Sequence, residues 1–76
     1  MSRKRTAPQQ LRAQRTRRDL LTAARRAFAT AGYEGATIDD IAEAAGCSKG
    51  AYYFHFATKE EALLAMIDDW TRERTR

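Results

Sequence analysis

Gly46 stops a helix almost as soon as one can begin. Thr37 is a good N-cap, because its hydroxyl can accept a bond from a free amide of the first turn. Asp39 and Asp40 follow, where the helix dipole favours negative charge. Ile38, Ile41, Ala42 and Ala45 then recur at the three- and four-residue spacing of one helical face. The pattern predicts a helix over 38–45, closed by a glycine suited to a left-handed C-terminal residue. Gly46-Cys47-Ser48 leaves only a three-residue turn, and Ser48 can cap a third helix running to about Phe54 or His55. Helices this short and this close must cross through small side chains, which Ala42, Ala45 and Gly46 supply.

The flanks are helical too. Leu20, Leu21, Ala24, Ala27, Phe28 and Ala31 form one apolar stripe, and Gly32 is a natural stop, so a first helix is expected over about 15–31. Thr58 can cap a fourth helix with Glu60 and Glu61 in its first turn; Glu61 is placed to complete a capping box. Leu63, Met66, Ile67 and Trp70 continue that helix on one face, read as core for most of its length, with Trp70 partly exposed. No stretch alternates with period two. The expected fold is all-α, a small bundle of about four helices. At 76 residues it is a single domain, too small to hold a roomy ligand pocket beside another working surface.

Charge divides the chain. Residues 1–18 carry Arg3, Lys4, Arg5, Arg12, Arg15, Arg17 and Arg18 with no acid, whereas the remainder holds the other seven bases and all ten acids. Residues 1–14 are read as a flexible basic arm, suited to phosphate, to an anionic membrane surface, or simply to water. Residues 15–76 form the folded body. The single cysteine, Cys47, cannot form an intrachain disulfide and suits a reducing, cytoplasmic setting. It reads as a small core residue. No apolar run approaches a membrane span, and no apolar segment follows the basic N-terminus as a secretory signal requires.

Two short helices joined by a glycine-containing turn make a helix-turn-helix pattern, spanning about 37–56. Three-helix bundles also contain such turns, so the chemistry of the next helix matters. From Gly46 to Lys59 there is no acidic residue, while Lys49, His55, Lys59 and the hydroxyls of Ser48, Tyr52, Tyr53 and Thr58 are present. A surface aimed at phosphate needs donors and no carboxylates.

The run from Thr37 to Phe56, Thr-Ile-Asp-Asp-Ile-Ala-Glu-Ala-Ala-Gly-Cys-Ser-Lys-Gly-Ala-Tyr-Tyr-Phe-His-Phe, resembles the helix-turn-helix of TetR-family transcriptional regulators. So do the following Ala57 to Leu64 and the upstream Ala27 to Tyr33; the likeness covers roughly residues 15–70. The resemblance implies sequence-specific binding of double-stranded DNA, most often as a repressor at a palindromic operator. It implies that Thr37 caps the second helix and bonds a phosphate. Ser48, Lys49, Gly50 and Ala51 would lie at the leading end of a recognition helix in the major groove. Tyr53 and His55 would bond the flanking backbone, Phe54 would lie near base edges, and Lys59 would bond a phosphate. Lys49 can donate to guanine, Ala51 can touch a thymine methyl, and Gly50 lets the backbone come close. A longer protein is implied, with the fourth helix, from about residue 58, leading into a ligand-binding domain that dimerises and takes a small-molecule effector. Tyr52 departs from the family pattern, which has an aliphatic core residue there. It is expected to be mostly buried, with its hydroxyl at the rim.

Other chemistries fit poorly. His55 is the only histidine and Cys47 the only cysteine, too few for a zinc site, and neither a cofactor nor a metal is expected. Asp39-Asp40, Glu60-Glu61 and Asp68-Asp69 are adjacent in sequence and so do not face each other across a helix. No enzymatic constellation is present. The remaining alternative is a protein-interaction module docking through the fourth helix and Trp70.

Overall fold

The computed structural model describes residues 8–74, with side chains to residue 72, and Arg3, Lys4 and Arg5 of the expected arm lie outside it. Four helices follow in order: α1 (Pro8–Gly35), α2 (Ile38–Ala45), α3 (Lys49–His55) and α4 (Lys59–Arg74). The bounds of α2 and α3 agree with those the sequence predicts.

α1 does not. It begins at Pro8 rather than near residue 15, so the part of the basic arm from residue 8 to 14 is helix. Proline is favoured at the first helical position, and the glutamine, arginine and alanine residues after it propagate well. Half-buried Ala13 and Thr16 continue the inner face of α1 two turns and one turn ahead of Leu20. Their small or polar side chains give no apolar stripe, which is why the sequence hides the start. At the other end Gly32 takes φ 81° and ψ 162°, a left-handed backbone that breaks the helix, and one further turn runs to Gly35. Ala31, expected on the apolar stripe, is exposed because it sits at this break.

The core gathers Leu20, Leu21, Ala23 and Ala24 of α1, Ile41 and Ala42 of α2, Tyr52 and Phe56 at α3, and Ala62 of α4. α4 corrects the sequence reading. Its core side is Ala62, Ala65 and Met66, whereas Leu63 is half-buried and Leu64, Ile67 and Trp70 are exposed. α1 and α4 approach through small residues, which rotates the larger ones outward. Trp70, 54% exposed, is where the sequence placed it, partly open to solvent. Among the described residues no helix is long and apolar enough to cross a membrane.

Candidate nucleic-acid interface

Capping positions the two helices of the motif. Thr37 is in extended conformation, and its Oγ1 accepts from the Asp40 amide at 3.0 Å. Asp40 Oδ2 in turn accepts from the Thr37 amide at 3.4 Å, which closes a capping box. Gly46 ends α2 with φ 76° and ψ 28°, and its amide donates back to Ala42 and Glu43. Ser48 caps α3, its Oγ accepting from the Ala51 amide at 3.0 Å. Both cap hydroxyls are on exposed residues, and a hydroxyl oxygen that accepts still has its own proton to donate.

α3 is sorted by face. Tyr52 is 0% exposed and takes the core side. Its hydroxyl donates to the Thr58 carbonyl at 2.7 Å, so the expected partner is found, at the start of α4. Burial, then the neighbouring Tyr53, Tyr33 and Glu61, push its phenol up to about 12. The outer side presents exposed Lys49, Gly50, Tyr53 and Phe54, with Ala51 half-buried between them. Tyr53 is 48% and Phe54 77% exposed. A Cβ added at Gly50 would meet only Ser48 Oγ, at an ordinary 3.7 Å, so nothing within the fold requires glycine there.

Two cations already have protein partners. Lys49 Nζ lies 3.2 Å from Asp39 Oδ1, an exposed ion pair joining the leading ends of α2 and α3. Lys59 Nζ donates to the carbonyls of Tyr33 at 2.6 Å and Ala36 at 2.9 Å, and sits 4.5 Å from the Tyr33 ring centroid. Lys59 therefore ties the α1–α2 connection, next to Thr37, to the start of α4. This is a structural task that the sequence did not reveal. An ammonium has three donors, so one remains. The capping box expected at Thr58 is altered: Thr58 Oγ1 accepts from the Glu61 amide at 3.1 Å, but Glu61 reaches back to the Ala57 amide at 2.8 Å.

His55 is half-buried between Phe54, edge-on at 5.0 Å, and Phe56. Burial, and then the positive charge of Arg17, hold its imidazole below the ordinary value. Arg17 itself lies 5.5 Å from the Phe56 ring centroid and 3.8 Å from Asp69. Sequence reasoning counted Arg17 only as part of a basic run; the missed signal was its place one turn before Leu20, beside the core face. Cys47 is half-buried against the core, and burial followed by Asp19 pushes its thiol up, away from a reactive thiolate. Among the described residues no group of three or more metal-ligating side chains comes together.

Thr37, Ser48, Lys49, Gly50, Ala51, Tyr53, Phe54 and His55 thus belong to one α2–turn–α3 unit, and within α3 Tyr52 is the buried side chain that turns to the core. That arrangement defines a helix-turn-helix protein. The chain belongs to the tetR family of bacterial regulatory proteins, whose family model matches residues 20–66. It is 49% identical over 51 residues to the HTH-type transcriptional repressor AcnR of Corynebacterium efficiens, covering 67% of this chain and 27% of that protein. It is 46% identical over 56 residues to the HTH-type transcriptional regulator TtgR of Pseudomonas putida, covering 74% and 27%. Against the A-factor receptor protein of Streptomyces griseus it is 45% identical over 62 residues, covering 82% and 22%. The matches thus span about a quarter of the length of these relatives. No solved structure matches the chain.

Proposed function

We propose that this domain reads double-stranded DNA and serves a transcriptional regulator of the repressor type, with α3 in the major groove. The carrying observation is the sorting of α3: one large side chain, Tyr52, faces the core, and outer residues that include no acid face out, with exposed Asp39 of α2 paired to Lys49. Membership in the family supports the same reading. Ser48, Lys49, Gly50, Ala51 and Phe54 take the base edges. Thr37, Tyr53 and His55 take phosphates on either side, and the third donor of Lys59 is available to another. One such helix reads a half-site, so a palindromic operator and a homodimer of a longer chain follow. An effector would act through a further domain of that chain.

The test is the pair of substitutions Lys49→Ala and Tyr53→Ala. Both side chains lie outside the core, so the helical spectrum and thermal midpoint should be kept while binding to duplex DNA drops at least tenfold, since interactions of this kind are each worth ~1–3 kcal/mol. Unchanged DNA binding would refute the proposal. A second reading has one observation behind it. Leu21, Met66, Ile67 and Trp70, with Arg18 and Arg25 at the rim, line an open groove of about 400 Å³ between α1 and α4. A protein-docking role for this face alone would leave DNA binding untouched and lose a partner when Trp70 is changed.

A further inference from the structure

We infer that Asp39 of α2 sharpens the choice between DNA sequences: its carboxylate holds the Lys49 ammonium and makes that cation a poor partner for phosphates at large. The inference rests on the DNA-reading role proposed above, and it assigns a task to a residue that makes no contact in that proposal.

A carboxylate is out of place on such a surface. Asp39 lies two residues past Thr37, in the first turn of α2, and is exposed. The helix start does not depend on it, because Asp40 closes the capping box with Thr37. Asp39 Oδ1 lies instead 3.2 Å from Lys49 Nζ, at the leading end of α3. The side chains of Asp39 and Lys49 are 70% and 53% exposed, so the pair is screened by water and adds little to the fold. Lys59, the other lysine of the proposed surface, is held by two neutral carbonyls instead.

What the pair changes is the behaviour of Lys49 toward DNA. A lysine is a point charge on a flexible four-carbon stem, and left alone it follows any phosphate within reach. Phosphate contacts carry no sequence information. A Lys49 that swings to a phosphate must leave Asp39, and the abandoned carboxylate then faces the negative backbone. Charges act over roughly 8 Å at physiological salt, so a phosphate bonded at Thr37 would oppose it as well. Asp39 thus penalises loosely seated complexes. An ammonium has three donors. Where the duplex offers an acceptor beside the pair, Lys49 can donate to it without giving up Asp39, and the penalty is absent. Selectivity gained in this way comes from weakening the wrong complexes, with no added contact in the right one.

The test uses the 76-residue chain, a duplex that it selects from a randomised pool, and a scrambled duplex of the same length and composition. Asp39→Asn, its fold checked by its thermal midpoint, is expected to bind the scrambled duplex about three- to fivefold more tightly, the upper end for one exposed ion pair. It should bind the selected duplex almost as wild type does. On the scrambled duplex its plot of log K against log salt should steepen by up to about 0.9, for one more phosphate neutralised. Asp39→Glu keeps the charge and should keep most of the wild-type selectivity. In a Lys49→Met background, Asp39→Asn should no longer change the ratio of the two affinities. Equal tightening on both duplexes overturns the inference, since the carboxylate then only repels DNA. No change on either duplex overturns it too, as does a ratio that still shifts in the Lys49→Met background. A wild type that binds both duplexes equally refutes the DNA reading itself.

Discussion

Gly50 marks where the fold and the proposed function part. Glycine in a helix costs up to about 1 kcal/mol against alanine, and the site has room for the extra methyl. Gly50→Ala should therefore raise the urea midpoint slightly while weakening DNA binding severalfold; a variant gaining both would remove the case for close backbone approach. Tyr52→Phe keeps the buried ring but strands the Thr58 carbonyl, and should cost about 1 kcal/mol. In a domain this small that lowers the thermal midpoint by roughly 4–8 °C. His55 gives a pH signature. Its folded pKa lies below the ordinary 6.5, so the folded state binds a proton less readily than the unfolded chain. Its contribution is complete above pH 6.5 and is lost as pH falls through the folded value. Wild type should lose more stability than His55→Gln between about pH 7.5 and 5.5, measured by urea midpoints. The burial of Tyr52 was legible from its place in the motif, and its need for a partner from its hydroxyl. That Thr58 supplies the partner was not legible, because it depends on how tightly the chain turns after Phe56.

α2 was readable to the residue because its start and stop signals are local: Thr37 bonds an amide three residues on, and Gly46 adopts the left-handed conformation. α1 and α4 were readable in kind but not in extent or facing. The first turns of α1 carry only small or polar half-buried residues, Ala13 and Thr16, which give little hydrophobic signal. α4 turns Ala62 and Ala65 to the core in preference to the larger Leu64 and Ile67, a choice made by close approach to α1. Lys59 joins these elements. Its ammonium satisfies the Tyr33 and Ala36 carbonyls where α1 gives way to α2. Lys59→Met keeps the aliphatic stem and removes both bonds. It should cost at least about 1 kcal/mol, with faster amide exchange near Thr37 in hydrogen-exchange measurements. Unchanged protection there would reduce Lys59 to a surface cation.

At the scale of the molecule, base-rich and acid-rich regions are segregated along the chain, with seven bases and no acid before Asp19. If that run meets phosphate, replacing Arg3, Lys4 and Arg5 with glutamine should flatten the plot of log K against log salt by roughly one unit for each phosphate no longer neutralised. An equal slope would assign the arm to water. Two outer surfaces then compete for the functional role: the outer side of the α2–α3 unit, and the apolar side of α4 with Leu64, Ile67 and Trp70. Their separation on the fold makes them distinguishable in one measurement, a titration of duplex DNA into the isotope-labelled chain followed by amide resonances. The account predicts that the perturbed amides centre on Thr37 and on Ser48 to His55, with those of Leu64 to Trp70 little changed. Perturbations centred on α4, or none at all, would contradict it.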